Sequence, residues 1–130
     1  MSALTVIPGI HAVARLPPDA PVPAWAAGSF VSVTRTPHEL SIVCEQANVP
    51  SDITMEGGWH ALMVAGPLDF NLTGVLASLT APLSAAGISV FAIATYDTDY
   101  VLVRARDLSH AVRVLRDAGH TVNLSPRSAT

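Results

Sequence analysis

The chain has 130 residues, enough for one compact domain or for two small lobes that share a core. Its seven Lys and Arg residues are scattered and the formal net charge is -3, so we expect no nucleic-acid partner. Half of the residues are hydrophobic, but the apolar runs fall well short of the ~20 residues that cross a bilayer. Together with an amino-terminal segment that lacks a positive region, this predicts a cytoplasmic protein with no membrane partner.

Two strands and a short turn are predicted in the first half of the chain. HAVARLP (His11 to Pro17) is an apolar run, and VTRTPHELSIV (Val33 to Val43) contains strand, polar corner and strand. The prolines of PPDAPVPAWAAG forbid a long helix between them, although PAWAAG can form one turn anchored by Trp25. Cys44 in LSIVCE is expected to be a buried hydrophobe, and one cysteine permits no disulfide within the chain.

Residues 46–58, QANVPSDITMEGG, are rich in turn formers and show little periodicity, which predicts a connector. A strand buried on both faces is predicted next, in HALMVAG (His60 to Gly66). Apolar residues then recur at helical spacing from Thr73, which predicts a helix over residues 73–86. Asn71 or Thr73 can cap its start and Gly87 can end it. Pro82 removes one backbone donor and predicts a bend or loosened turn near Ser78.

The rest of the chain predicts a hairpin, a helix and a final strand. ISVFAIA (Ile88 to Ala94) and DYVLVRA (Asp99 to Ala105) are rich in strand formers and are joined by the polar link TYDT. Asp107 can cap a helix whose apolar face includes Leu108 and Leu115, with Gly119 just beyond its end. HTVNL forms the last strand.

This order of elements predicts an α+β protein with the βαββαβ pattern of ferredoxin-like domains, in which two helices cover one face of an antiparallel sheet. The first half repeats part of the pattern, since residues 33–43 can be aligned with residues 94–104 at a constant offset of about 61. We therefore expect a truncated lobe over residues 1–50, a connector at 51–58, a complete domain over 59–124 and a tail at 125–130.

Asp97 and Asp99, at the hairpin corner, are the residues that most invite a chemical role. A carboxylate there can cap the turn, hold an ammonium group, or act with its neighbour as acid and base. No motif in the sequence sets a serine or cysteine within hydrogen-bond reach of a histidine base, which argues against a nucleophilic enzyme. The five histidines are dispersed, without the short spacings of metal ligands, so neither a metal nor a cofactor is expected: His11, His38, His60, His110 and His120.

The segment from Gly66 to Val103 resembles the ACT domain, and in particular small bacterial ACT proteins akin to the CASTOR arginine sensors. APLSAAGISVF and TYDTDYVLV are its most specific pieces, and the resemblance extends through SVTRTPHELSIV and RARDLSHAVRVL. It implies two ACT-like lobes, the first degenerate, with no catalysis of their own. It also implies an amino-acid site where ACT units meet edge to edge.

The resemblance implies that two stretches form the ligand site. One is the loop before the first helix of the domain, and the other is the corner after the second strand. Where the sensors have a loop glutamate, this sequence has Leu72, which removes one partner for a guanidinium group. The implied ligand-binding residues are Gly66, Pro67, Leu68, Leu72, Thr73, Gly74, Thr95, Tyr96 and Asp99.

The function expected from these observations is a regulatory module that binds an amino acid or a similar metabolite and passes occupancy on through association of lobes or subunits. A homodimer and an unidentified protein partner are expected. Two alternatives stay open: an interaction module without a ligand, and a small enzyme that uses Asp97 and Asp99 on the same frame. The side chain of Phe70, in the loop before the helix, is expected to pack into the core.

Overall fold

The computed structural model describes residues 1–69 and 73–124 of the chain. Within them it has these strands and helices, in chain order: β1 Ala3–Val6, β2 His11–Leu16, β3 Ser32–Arg35, β4 Leu40–Glu45, β5 Thr54–Val64, α1 Val75–Ala85, β6 Val90–Ala94, β7 Asp99–Arg104, α2 Leu108–Asp117 and β8 Thr121–Asn123. Neither helix is long and apolar enough to cross a membrane.

The chain forms two units whose boundaries differ from the expected ones. The first unit is Gly9–Trp59, and the second combines Met1–Pro8 with the residues from His60 onward. The connector expected at residues 51–58 is wrong in part, because β5 already begins at Thr54. The glycines at the end of this stretch suggest a turn, but they lie in the strand where its register with β2 shifts, between His11 and Val13. The tail at 125–130 lies outside the described residues.

The second unit is an α+β layer with the predicted ferredoxin-like order of elements. Its strands lie side by side in the order β8, β1, β5, β7, β6. Leucines and valines from alternate positions of four of these strands pack against α1 and α2 in one core. The buried residues of this core are Leu4, Val6, Leu62, Val64, Leu79, Leu83, Ile88, Val101, Val103, Ala111, Val112, Leu115 and Val122.

Strand β1 is an addition that the sequence reading missed. It pairs antiparallel with β5 and parallel with β8, so the sheet is mixed and not fully antiparallel as expected. Leu4 and Val6 are fully buried, while Ala3 is exposed and Thr5 half-buried. This alternation has the period of a strand with one face on the core, but four residues are too short a run to stand out.

Both helices end as the glycines predicted. Gly87 and Gly119 have φ of 75° and 97°, a left-handed conformation that favours glycine. After α1, Gly87 donates to Ser84 and Ile88 donates to Leu83; after α2, the pattern repeats from Gly119 and His120 to the last turn. These paired bonds satisfy carbonyl groups that a helix end otherwise leaves open.

The helix starts differ from the sequence reading. Helix α1 begins at Val75, two residues later than predicted, and the residue at its amino-terminal boundary is Gly74 in a left-handed conformation. No side chain caps this end, so the expected cap by Thr73 is wrong, and Asn71 lies outside the described residues. Asp107 does stand at the start of α2, but its carboxylate makes no capping hydrogen bond because a short 3-10 turn, Ala105–Asp107, leads into the helix. Helix α1 continues through Pro82 without a break.

The first unit is a degenerate counterpart of the second. Strands β3, β4, β2 and the first half of β5 lie side by side, and no α-helix lies among the described residues of this unit. Trp25 is packed, as predicted, against the buried group of Leu40, Ile42 and Cys44. Burial raises the pKa of the Cys44 thiol, with Glu45 adding to the effect, so the cysteine is a protonated hydrophobe as expected.

The two hairpins repeat, but at an offset of 59 residues and not 61. Arg35 pairs with Leu40 in the first unit, and Ala94 pairs with Asp99 in the second. Thr36 and Thr95 occupy equivalent places, since each closes its turn with a bond between its own N–H and the carbonyl three residues on. Leu40, fully buried, therefore stands where the second unit has Asp99.

Candidate functional site

The loop after β5 lies directly against the β6–β7 corner. Leu68 donates its backbone N–H to the Asp97 carbonyl at 2.6 Å, and the Thr98 hydroxyl donates to the Val64 carbonyl at 2.7 Å. A Cβ on Gly66 would come within 3.0 Å of both the Asp97 oxygen and Thr98 Cβ. Glycine at 66 is thus required by close approach, and the loop and the corner form one continuous surface.

The corner is closed by a threonine and not by an aspartate. Thr95 donates its N–H and its hydroxyl to the Thr98 carbonyl, at 2.9 and 2.8 Å, and its oxygen accepts the Thr98 N–H at 3.2 Å. This is the local bonding by which threonine fixes a turn. The Asp97 and Asp99 carboxylates are therefore not needed to hold the turn, which leaves them available for a ligand.

A cleft of about 220 Å³ opens between the loop, the start of α1 and the corner. Three aspartates line it, Asp69, Asp97 and Asp99, and no lysine or arginine is among the described residues of its wall. Apolar atoms come from Leu68, Val75 and Leu76. Such a wall favours a ligand with a cationic group and an aliphatic portion.

A second cleft of about 390 Å³ shares Leu68 and Val75 with the first. Its wall includes Thr73 and Gly74, which precede α1, and Ser2 and Ser78. Helix α1 has no acidic residue in its first turn, and the first hydrogen bond it closes is from Ser78 N–H to the Gly74 carbonyl, at 2.9 Å. The N–H groups of the first turn and the positive end of the helix dipole therefore suit an anion at this end.

The structure brings together most of the residues expected to bind a ligand. Leu68, Thr95, Tyr96 and Asp99 line the first cleft, and Leu68, Thr73 and Gly74 line the second. Gly66 and Pro67, joined by a cis peptide bond, line neither cleft; Gly66 instead lets the loop approach the corner. Leu72 and Phe70 lie outside the described residues.

Other residues of the two clefts were not expected from the sequence. Asp69, Asp97, Val75 and Leu76 line the first, and Ser78 the second. Leu76, one of the apolar residues at helical spacing in α1, is 36% exposed and lines the first cleft. The sequence signal for Asp69 is a charge in an otherwise apolar loop, whereas the position of Leu76 depends on where the helix begins.

Two of the dispersed histidines, His11 and His120, are buried in the fold. His11 is fully buried, with its ring edge-on to Phe30 at 5.6 Å between centroids. His120 is bonded through both ring nitrogens to backbone atoms. Within residues 1–69 and 73–124, no three His, Cys, Asp or Glu side chains are grouped so as to hold a metal ion.

His60 is expected to make the protein less stable in mild acid. Burial lowers the pKa of this histidine below its ordinary value of 6.5, and Nδ1 is buried without a hydrogen-bond partner among the described residues. Below pH 6.5 the unfolded chain binds a proton that the folded chain resists, so the free energy of unfolding falls as pH falls toward the lower, folded-state pKa. Urea unfolding at pH 7.5 and pH 5.5 measures this loss. His60→Gln should reduce the loss, whereas His110→Gln, on the exposed side of α2, should retain it; equal losses in both variants would contradict the assignment.

The comparisons with known proteins identify the second half of the chain. Residues 54–117 match the family model of an ACT domain, and residues 9–52 match a model described as an N-terminal domain. The chain belongs to the ACT-domain family. The resemblance noted from its sequence is thereby confirmed, and relatives include arginine sensors of the CASTOR group.

Two curated relatives of this ACT protein illustrate the similarity. The cytosolic arginine sensor for mTORC1 subunit 1 of Bos taurus is 31% identical over 97 residues, which cover 66% of this chain and 30% of that protein. The human putative protein CASTOR3P is 33% identical over 99 residues, covering 66% of this chain and 61% of that one. The chain thus spans less than two thirds of either relative.

Solved structures place the ACT protein in the same fold. Protein Atu0741 of Agobacterium tumefaciens is 41% identical, with a TM-score of 0.90, and the match covers 95% of this chain and 93% of that one. The regulatory subunit of aspartate kinase from Thermus thermophilus is 14% identical, with a TM-score of 0.60, and the match covers 89% of this chain and 97% of that one. The second likeness concerns the fold alone.

Proposed function

We propose that this ACT protein is a non-enzymatic regulatory module of the cytosol that binds an amino acid or a similar small zwitterion. The observation that carries the proposal is the junction of the loop after β5 with the β6–β7 corner, at which three aspartates face one cleft beside the start of α1. Positive and negative groups of an amino acid would both have a partner there. Both charged groups would be held by noncovalent contacts, so binding involves no catalytic step.

The cationic group and the α-carboxylate of the ligand bind at different parts of the site. The cationic group lies at the aspartates, where Asp99 is the half-buried member and gains most from a charged donor. The α-carboxylate lies at the amino end of α1, near Thr73 and Gly74, where N–H groups and the helix dipole favour negative charge. The shared wall of Leu68 and Val75 would contact the aliphatic carbons between them.

The acidic wall favours basic amino acids over neutral ones. The Bos taurus relative is named as an arginine sensor, and the positive charge of arginine is complementary to this acidic wall. The resemblance implies a glutamate in this loop of the sensors, where this chain has Leu72, so a guanidinium would have one partner fewer here. Lysine, ornithine and arginine are the first ligands to compare.

Occupancy would be passed on through association. The ligand site is open at the surface of the second unit, and a homodimer that covers it would let the ligand contact both copies. A ligand that binds the assembled form better shifts assembly by that difference in affinity, and the coupling is reciprocal. Strands β6 and β8 each pair with one described neighbour, so each offers a sheet edge to a second copy or to a partner protein.

Thermal-shift measurements with each of the twenty protein amino acids test the proposal. A ligand at 100 times its Kd stabilises the folded state by about 2.7 kcal/mol, which raises the melting temperature by several degrees in a domain of this size. Basic amino acids should give the largest shift. Asp99→Asn should remove the shift, and Asp117→Asn, on the exposed surface of α2, should leave it intact.

The two alternative functions, an interaction module without a ligand and a small enzyme, predict different experimental outcomes. Tyr96 is 79% exposed beside the cleft, a feature that also suits a protein-interaction surface. The absence of a shift with any amino acid, together with capture of a second copy or partner that Tyr96→Ala abolishes, would favour an interaction module. A turnover lost in Asp97→Asn and Asp99→Asn would favour an enzyme.

A further inference from the structure

Two hydrogen bonds through His120 connect the start of β1 to the middle of α1. The ring is buried, 6% exposed, in the turn between α2 and β8. Ser2 donates its backbone N–H to Nδ1 at 3.1 Å, and Nε2 lies 3.0 Å from the Ser78 carbonyl oxygen. A backbone N–H can only donate and a carbonyl can only accept, so the ring is neutral and carries its proton on Nε2.

The Ser78 carbonyl is one that α1 itself cannot satisfy. In an α-helix, the carbonyl of Ser78 would accept from the N–H of the residue four positions later. That residue is Pro82, which has no N–H. The Nε2–H of His120 supplies the missing donor from outside the helix, which explains how α1 continues through Pro82 without an unpaired carbonyl at this point.

The other nitrogen of His120 fixes the chain where it enters β1. Ser2 is held on both sides, since its N–H donates to His120 and its carbonyl accepts the Thr121 N–H at 2.9 Å. Ser2 and Ser78 are both wall residues of the second cleft. One imidazole therefore sets the distance between two walls that no direct bond joins among the described hydrogen bonds.

We propose that His120 is a positioning residue of the second cleft, which donates to the carbonyl left open by Pro82 and accepts from Ser2, the residue before β1. The role in ligand binding rests on the proposed function, whereas the hydrogen bonds can be measured without a ligand. His120 does not itself line the cleft, so it acts on a ligand through Ser2 and Ser78.

A double-mutant cycle between His120 and Pro82 tests the hydrogen bonding. Asparagine at 120 can place an acceptor near Nδ1 but has no donor at Nε2, and alanine at 82 restores the helical N–H to Ser78. His120→Asn should lower the folding equilibrium constant about tenfold when residue 82 is proline, and less than about threefold when it is alanine. His120→Gln, which can place an amide N–H near Nε2, should recover most of the loss. Equal costs of His120→Asn in the two backgrounds would overturn the inference.

Titrations with L-lysine and L-arginine test the positioning of the cleft. His120→Asn should weaken several-fold the protein's affinity for whichever of the two amino acids the wild type binds. Adding Pro82→Ala should restore part of that affinity. An affinity unchanged by His120→Asn would overturn the positioning role. If the wild-type protein binds neither probe nor any other amino acid, the proposed function fails, and the unfolding cycle alone then supports or overturns the hydrogen-bonding role of His120.

Discussion

Replacing Leu83 by alanine is expected to lower the free energy of unfolding by about 2–5 kcal/mol. Leu83 is fully buried on the inner face of α1, in the core of the second unit. Truncation removes three carbons from that core and leaves a cavity that the packed strands cannot fill. Because a domain of this size is stable by only about 5–15 kcal/mol, the loss should be visible as a large shift of the urea midpoint.

Leu76→Ala is the matched control for Leu83→Ala. Leu76 lies on the same helix, loses the same atoms and is 36% exposed, so its truncation should change the free energy of unfolding by about 1 kcal/mol or less. Alanine is the better helix former, which offsets part of the lost contact. Equal effects of the two truncations would contradict the assignment of the buried face of α1.

Gly66→Val is expected to destabilise the protein by about 1–3 kcal/mol and to remove its response to ligands. The new Cβ would meet the Asp97 carbonyl oxygen and Thr98 Cβ at 3.0 Å, and both belong to a corner fixed by its own hydrogen bonds. The loop must move away from the corner, which breaks the bond from Leu68 to Asp97 and opens the first cleft. Urea unfolding and thermal shift with lysine measure the two effects.

Ala92→Val, on strand β6 of the same unit, is the control for Gly66→Val. Its side chain is exposed, so added methyl groups should change stability by no more than about 0.5 kcal/mol. The ligand response should persist, since Ala92 is a wall residue of neither cleft. A Gly66→Val protein that binds ligand as well as the wild type would show that the close approach of loop and corner is unimportant for binding.

Much of the second unit could be predicted because its signals are local. The β6–β7 hairpin follows from two runs of strand formers around a polar link, and the helix ends follow from Gly87 and Gly119. The resemblance to ACT domains added the order of elements. In these stretches local propensity and the final fold agree, so the sequence alone suffices.

The misplaced elements depend on contacts between distant parts of the chain. Strand β1 is only four residues long and is defined by pairing with β5 and β8, which lie some 60 and 120 residues away. Strand β5 begins within a stretch of turn formers, where its pairing with β2 shifts register. The hairpin repeat was aligned two residues out of place, since only the turn bonds of Thr36 and Thr95 fix the equivalence.

The candidate site was predicted in outline but not in its details. The resemblance indicated the loop and the corner, and the structure joins them through the bond from Leu68 to Asp97. That the corner is closed by Thr95, leaving Asp97 and Asp99 to face a cleft with Asp69, depends on side-chain geometry that no spacing discloses. The role of Ser78 depends on Pro82 and on a histidine 42 residues away.

The central claim is that the loop after β5, the start of α1 and the β6–β7 corner form one amino-acid site. Backbone amide NMR shifts during titration with L-lysine and L-arginine test it most directly. The account predicts saturable changes concentrated at Leu68, Gly74, Val75 and Asp99, with one shared Kd, and their loss in Asp99→Asn. Saturable changes confined to Gly9–Trp59, or none at these four amides for any amino acid, would contradict it.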